Sequence, residues 1–305
     1  MNNQHATGRE KWRGHFAMAL FALVIAASFS LGSRAAQFIE PGALTATRLF
    51  LASFVMAGAA MIAMPRRTWP GLAQPQAFWR FIILGGLMGL YFIAMFEALK
   101  TANPVSTGAI FTLLPLFTAA IAFFLLQQSA KPVVLISLSV AAAGAVWVIF
   151  RGDVSAILGF ELGKGEFIFL FGTLSHAVYA ALVRRLNRGE PVMVFTLWTL
   201  IGGTLAVAPY AFGEMLATRW LELPVFVWLT IAYLATVTTA GTFFLLQYAV
   251  IRIPAAKATA YVLLTPCYII LLEGLVGAGW APGRVIAGAL VTVLGLVILV
   301  RAPDV

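Results

Sequence analysis

The stretches STGAIFTLLPLF at residues 106–117 and KATAYVLLTPCY at residues 257–268 decide the fold, because the second repeats the pattern of the first after 151 residues. This shift places Pro115 on Pro266, each inside a long apolar run. Proline lacks a backbone N–H, so within a membrane helix it lets the helix kink and frees a carbonyl that a neighbour must satisfy. Such a kink, present twice at one offset, predicts that the chain contains one structural unit twice.

The same offset relates both ends of the two units. Gly14 matches Gly165 near the start of each unit, and Gly144 matches Gly295 near the end. Apolar residues often match by chance, so the constancy of the offset is stronger evidence for a repeat than the number of identities.

The composition places the chain in a lipid bilayer. Of its 305 residues, 62% are hydrophobic and 10% are charged, and the mean hydropathy is +0.96. Soluble domains carry about 25% charged residues, so a soluble fold is excluded. The net charge of +9 would suggest nucleic acid as a partner of a soluble protein. Here the basic residues lie in short gaps between apolar runs, which is typical of membrane topology instead.

Ten apolar runs approach the length of about 20 residues that a helix needs to cross the hydrocarbon core. They cover residues 14–34, 43–64, 76–98, 104–126, 132–150, 165–186, 192–212, 224–248, 255–276 and 283–301. Backbone groups in lipid must be paired within the chain, so we expect an all-α integral membrane protein with ten transmembrane helices.

The two units, residues 1–151 and residues 152–305, then hold five helices each. Because five is odd, the second unit enters the membrane from the opposite side, and the units form inverted repeats. Inverted repeats are the usual basis of alternating access, with the substrate between the halves near the midplane. Pro115 and Pro266, half way along the fourth and ninth spans, are therefore candidate gating residues, or alternatively prolines that only shape the packing.

The basic residues predict the orientation of these spans. Of the 20 Lys and Arg residues, 13 lie on the side of the N-terminus, 6 lie on the other side, and Arg48 lies within a span. Since the cytoplasmic side carries the excess of basic residues, both termini are expected to be cytoplasmic.

Three stretches resemble a known family. They are FEALKTANPVSTGAIFTLLPLFTAAIAFFLL at 96–126, HAVYAALVRRL at 176–186, and PGALTATRLFLA at 41–52, which includes Arg48. The chain resembles EamA-type members of the drug/metabolite transporter superfamily, and among them the YddG-type amino-acid exporters. The resemblance implies ten helices in two halves, and export of small metabolites across the inner (cell) membrane of a bacterium.

The chain also departs from this family. Members often carry glutamate thirteen residues after each proline, where this sequence has Gln128 and Gly279. A tryptophan is common at the position of His176. The ion coupling and substrate preference of the wider family therefore do not transfer directly.

Charged residues within spans mark candidate substrate-binding sites, because a charge in the hydrocarbon core is costly. Arg48 either extends to the outer headgroups or faces a cavity, where it could bind a substrate carboxylate. Glu273 lies in an apolar stretch, either at the membrane interface or internally with Arg48 as its counter-charge. Glu97 is a further candidate, although its three-residue spacing from Lys100 favours a local ion pair.

Polar aromatic residues complete the candidate substrate site. His176 lies near mid-membrane, and Tyr179 follows one helical turn later on the same face. Tyr261 lies close to Pro266 and could add a further wall. A pocket of this kind favours aromatic or large neutral amino acids.

No cofactor is expected. The single cysteine, Cys267, excludes an intrachain disulfide, and no cysteine or histidine spacing indicates a metal site. The sequence has no nucleotide-binding glycine loop. We therefore predict a transporter and not an enzyme, with a small-molecule substrate, a bilayer partner and an undetermined oligomeric state. The alternatives are efflux of drugs, import of a sugar-like metabolite and, from another class, an integral-membrane enzyme.

Overall fold

The computed structural model describes residues 8–64, 75–126, 131–250, 252–253, 257–258 and 260–301, and all regular structure within them is helical. The continuous helices are α1 (Gly8–Ala35), α2 (Pro41–Ala63), α3 (Trp79–Ala98), α5 (Pro132–Ile149), α6 (Lys164–Leu186), α7 (Val192–Ala217) and α10 (Gly283–Arg301). Three further segments are interrupted. They are α4 (Pro104–Phe111 and Leu114–Leu126), α8 (Val225–Tyr233, Leu234–Gly241 and Thr242–Val250) and α9 (Ala260–Leu264 and Thr265–Leu275). A short helix, Val154–Leu158, and a 3₁₀ turn, Trp220–Glu222, lie between them.

Eight of the described helices are long and apolar enough to cross a membrane, among them Pro104–Ile121 within α4. Val225–Gly241 in α8 and Ala260–Leu275 in α9 are apolar but shorter. The helical, multi-span fold class is thus confirmed, while the number of ten spans stays a prediction. Residues 255, 256 and 259 of the ninth predicted span, and Gln128 after the fourth, lie outside the described residues.

The repeated prolines begin new helical segments rather than kinking continuous ones. In α4 the helix breaks at residues 112–113, and Pro115 lies in the first turn of the second segment. In α9 a 3₁₀ segment ends at Leu264, and Pro266 starts the following α-helix. The Thr292 hydroxyl donates a 3.0 Å hydrogen bond to the Leu263 carbonyl, so a neighbouring helix satisfies a backbone group freed by the break.

Helices α5 and α10 are related by the 151-residue offset, and they cross closely in antiparallel directions. A Cβ atom on Gly144 would lie 2.7 Å from the Gly288 carbonyl oxygen, and one on Gly295 would lie 2.7 Å from the Ser137 carbonyl oxygen. Residue numbers therefore rise along one helix as they fall along the other. Small residues permit this backbone approach, as is typical of membrane helices.

Helices α2 and α7 are also related by the offset, and they too pack antiparallel. The backbone N–H of Ala43, at the start of α2, donates a 3.0 Å hydrogen bond to the Glu214 carboxylate near the end of α7. On its other side α7 packs on α3, where a Cβ on Gly85 would lie 2.0 Å from the Gly203 nitrogen. This crossing fixes α3 in the protein interior, with Tyr91 and Phe92 buried.

Candidate functional site

Arg48 lies inside the protein and not at its lipid-facing surface. Its residue is 2% exposed, and its Nε donates a 3.1 Å hydrogen bond to the Thr239 hydroxyl of α8. The guanidinium carbon is 3.7 Å from the centre of the Phe92 ring, in the geometry of a cation–π contact. Arg48 therefore joins α2 to α3 of its own half and to α8 of the other half.

This guanidinium group is only partly satisfied. Within the described part of the chain, the buried Arg48 Nη1 has no hydrogen-bond partner, and no ion pair includes Arg48. A buried charge without a counter-charge is costly, and such residues in membrane proteins mark substrate or ion sites. The arrangement can therefore accept an anionic group with hydrogen-bond acceptors, such as a carboxylate.

A π-helical segment, Leu234–Gly241, positions the hydroxyl that meets Arg48. The Thr239 hydroxyl donates to the Leu234 carbonyl five residues earlier at 2.8 Å, and so its oxygen is oriented to accept from Arg48. Just before the π-helix, the Tyr233 hydroxyl donates to the Val24 carbonyl of α1 at 2.8 Å. π-helical turns within α-helices are frequent at functional sites.

His176 lies in an aromatic cluster adjacent to this site. Its ring centre is 4.6 Å from that of Tyr91, 5.8 Å from that of Phe111 and 5.9 Å from that of Tyr179. Its Nδ1 is buried without a hydrogen-bond partner among the described residues. Tyr91 contacts this cluster while its neighbour Phe92 contacts Arg48, so α3 brings the guanidinium and the imidazole to one region.

Tyr179 contacts His176 but belongs mainly to another cluster. It packs with Phe81, Leu84 and Phe195, between α3 and α7. Its aromatic ring therefore forms part of the wall behind His176.

Glu273 is paired with Arg34 and not with Arg48. The Arg34 Nη2 lies 3.6 Å from the Glu273 carboxylate, joining the end of α1 to α9. Of the two alternatives for Glu273, the one in which Arg48 is its counter-charge is therefore wrong. The reason is packing: α2 directs Arg48 toward α3 and α8.

Glu97 forms the local ion pair that its spacing predicts. Lys100 Nζ lies 3.0 Å from the Glu97 carboxylate and 2.6 Å from the Glu40 carboxylate. Partial burial lowers the pKa of Lys100, but hydrogen bonds to the two carboxylates outweigh it and raise the pKa above its ordinary value. The cluster ties the end of α3 to the residue before α2.

Tyr261 is bonded to α1. Its hydroxyl and the His15 Nδ1 are joined by a 2.8 Å hydrogen bond, and both residues are buried. The structure thus links Arg48 to His176 and Tyr179 through the adjacent rings of Phe92 and Tyr91 in α3. It places Tyr261, Glu97 and Glu273 in separate contacts.

Sequence reasoning missed Tyr91 and Phe92, and it identified Thr239 only as one of the hydroxyls that make the eighth span polar, without assigning it to the site. Tyr91 and Phe92 lie in an apolar run of a chain with 24 phenylalanines and 7 tyrosines, so nothing local distinguishes them. The cluster of threonines in α8 was a usable signal, because repeated hydroxyls in a membrane helix indicate polar contacts. Within the described residues, no group of three or more His, Cys, Asp or Glu side chains could hold a metal ion.

Known proteins resemble this chain along nearly its whole length. The EamA-like transporter family model matches residues 12–150 and again residues 163–301. Both the starts and the ends of these matches are 151 residues apart, the offset that relates the two prolines.

Two relatives come from Bacillus subtilis (strain 168). The uncharacterized transporter YyaM is 24% identical over 278 residues, which are 90% of this chain and 90% of YyaM. The uncharacterized transporter YetK is 17% identical over 270 residues, which are 88% of this chain and 81% of YetK.

A solved crystal structure of a 20% identical protein superposes with a TM-score of 0.67, covering 92% of this chain and 94% of the other, which shows a shared fold. The resemblance noted from the sequence is confirmed: the chain belongs to the EamA-like transporter family, within the drug/metabolite transporter superfamily of multi-span membrane transporters.

Proposed function

We propose that this transporter exports amino acids, with a preference for aromatic or large neutral ones, by alternating access. The observation that carries the proposal is the buried Arg48 guanidinium, whose Nη1 lacks a hydrogen-bond partner among the residues that the structure describes. An amino acid offers a carboxylate with acceptors for this donor, and arginine binds carboxylates with two parallel hydrogen bonds.

The surroundings of the guanidinium favour an aromatic or large apolar side chain. Tyr91, Phe111 and His176 present rings within 6 Å of one another. Aromatic side chains stack favourably in such clusters. Tyr179 extends the wall, and the His176 Nδ1, which has no hydrogen-bond partner among the described residues, offers one polar contact. For Glu97, Glu273 and Tyr261, a substrate-binding role stays a prediction, and their contacts favour structural roles.

Alternating access requires two halves that can move against each other. We infer ten spans arranged as two inverted five-helix repeats. The antiparallel crossing of α5 with α10, and of α2 with α7, supports this, because equivalent helices of inverted repeats run in opposite directions. The helix breaks before Pro115 and Pro266 occupy equivalent places and supply two candidate gating hinges.

The inferred location is the bacterial inner membrane, with both termini in the cytoplasm. Reporter fusions after Asn187 and at the C-terminus are both expected to read cytoplasmic, because the basic residues are concentrated on that side. A reporter signal from the outer side at either position would contradict the ten-span arrangement.

Counterflow into proteoliposomes tests the function directly. Vesicles loaded with unlabelled phenylalanine or leucine should accumulate the labelled amino acid, and empty vesicles should not. A competition panel should rank aromatic and large neutral amino acids above aspartate, glutamate, lysine, cationic drugs and sugars. Counterflow with a cationic drug and none with amino acids would favour drug efflux instead. Counterflow with a sugar and none with amino acids would favour import of a sugar-like metabolite.

In the same assay, His176→Leu and Tyr179→Ala should raise the half-saturating concentration for aromatic substrates, measured on the monodisperse fraction of each variant because Tyr179 is also part of a buried cluster. The matched control is Phe171→Ala on the same helix, since Phe171 is 55% exposed on the protein surface. Unaltered uptake by the His176→Leu/Tyr179→Ala double variant would remove both residues from the substrate site.

A further inference from the structure

Two matched tripeptides open the first helix of each half. Gly14-His15-Phe16 lies near the start of α1, and Gly165-Glu166-Phe167 lies at the start of α6, 151 residues later. The middle residue is ionisable in both, and both are buried: His15 is 8% exposed and Glu166 is 6% exposed. Burying such a group is costly unless it is hydrogen bonded, so each burial calls for a partner.

Each middle residue is bonded across the boundary between the halves. His15 Nδ1 and the Tyr261 hydroxyl of α9 are 2.8 Å apart. The Ser106 hydroxyl of α4 donates to the Glu166 carboxylate at 2.8 Å. In both pairs the first helix of one half is bonded to the fourth helix of the other half, beside the segment that holds Pro115 or Pro266.

Gly14 and Gly165, the first residues of the two tripeptides, allow their helices to pack closely against equivalent segments of the other half. A Cβ on Gly14 would lie 3.0 Å from the Arg252 Cβ, just after α8. A Cβ on Gly165 would lie 2.6 Å from the Ala98 carbonyl oxygen and 2.7 Å from the Thr101 hydroxyl, just after α3. Thr101 and Arg252 are themselves 151 residues apart, so the two contacts are equivalents at opposite ends of the molecule.

We propose that His15–Tyr261 and Ser106–Glu166 are two latches, which position the helices that close the two ends of the transport path. The proposal rests on the alternating access proposed above, and it adds the residues that hold each end shut. Both latches are formed in this structure, so the molecule is closed at both contacts. Opening either end requires one of these hydrogen bonds to break while the other persists.

Two buried positions report the opening of each end without any transport assay. Met18 lies one turn beyond His15 in α1, Phe169 lies one turn beyond Glu166 in α6, and both are 0% exposed. In full-length, detergent-solubilised protein carrying Cys267→Ala, a cysteine replaces one of these residues. The measured quantity is the rate of labelling by a water-soluble maleimide.

Tyr261→Phe removes only the hydroxyl of the first latch, and Ser106→Ala removes only that of the second. Tyr261→Phe is expected to speed labelling of Met18→Cys about threefold to tenfold, the equivalent of one hydrogen bond, and not labelling of Phe169→Cys. Ser106→Ala is expected to do the reverse. Glu166→Gln is the matched control, because its amide oxygen can still accept from Ser106 and should leave the rates near those of the parent.

Two outcomes would contradict the latch proposal. The first is that neither labelling rate changes in either variant. The second is that both labelling rates rise equally in each single variant, because that would indicate destabilisation of the whole protein and not the opening of one end. Should Phe169→Cys fail to fold, the Met18→Cys reporter decides alone, since it must respond to Tyr261→Phe and not to Ser106→Ala. A selective response combined with no amino-acid counterflow would keep the latches and reject the proposed substrate.

Discussion

Replacing Arg48 by methionine is expected to reduce amino-acid uptake about 100-fold while leaving the protein folded. Hydrogen bonds to charged groups contribute about 1.5–3 kcal/mol each, and about 1.4 kcal/mol corresponds to a factor of ten in binding. Loss of two parallel hydrogen bonds between the guanidinium and the substrate carboxylate therefore accounts for the expected fall in uptake. The Thr239 hydroxyl, which now accepts from Arg48, can keep its bond to the Leu234 carbonyl.

The effect on stability separates a binding role from a structural one. The Arg48 guanidinium is buried and, among the described residues, only partly satisfied. An apolar side chain of similar length should therefore leave the thermal midpoint equal or higher. A clear fall in the midpoint, with the remaining protein active, would instead assign Arg48 to structure.

Two companion variants complete the Arg48 experiment. Arg48→Lys keeps the positive charge but loses the planar guanidinium group, which can donate two parallel hydrogen bonds to a carboxylate. Uptake by this variant is therefore expected to lie between that of Arg48→Met and that of the parent protein. Arg219→Gln removes an exposed arginine whose side chain is 79% accessible, and should behave as the parent protein. Normal uptake by Arg48→Met would refute the carboxylate site.

The second large effect is expected at the crossing of α3 and α7. In Gly85→Ala the new Cβ would lie 2.0 Å from the Gly203 nitrogen and 2.5 Å from the Thr199 carbonyl oxygen. Backbone atoms cannot rotate away, so the two helices must separate, which we expect to cost about 3 kcal/mol or more. Because α3 carries both Tyr91 and Phe92, the separation should also disturb the aromatic surroundings of Arg48 and His176.

Gly58→Ala is the matched control for this crossing. Gly58 lies in α2 with nothing within 4 Å of a built Cβ, so alanine should be neutral or stabilise the helix by about 0.5–1 kcal/mol. Monodisperse yield and thermal midpoint in detergent measure both variants. Equal behaviour of Gly85→Ala and Gly58→Ala would show that the crossing tolerates a wider spacing.

The fold was largely predictable because its determinants are local in sequence. Apolar run lengths predict the helices, and the offset between Pro115 and Pro266 predicts the repeat that the two family matches reproduce. Even there, the sequence suggested a kink at each proline, whereas α4 and α9 end one helical segment and begin another. The position of the preceding 3₁₀ turn in α9 depends on its neighbour α10, through Thr292.

The site was predictable only in part, because it depends on which helix faces which. A charge within a span marked Arg48, and a polar ring at mid-depth marked His176. No one-dimensional pattern shows that Phe92 lies beneath the guanidinium, or that Arg34 and not Arg48 meets Glu273. The π-helical turn is equally hidden, since Thr239 is aligned by a backbone irregularity and not by the usual 3.6-residue period.

The crossing of α5 and α10 has the form of a two-fold homodimer contact, in which residue i meets residue j and j meets i. Gly144 meets Gly288, and Gly295 meets Ser137, the counterpart of Gly288 in the first half. In an ancestor made of one five-helix unit, a single mutation would have altered this contact twice. In a single chain that carries both units, one mutation alters only one side of the contact, and the counterparts Ser137 and Gly288 do differ.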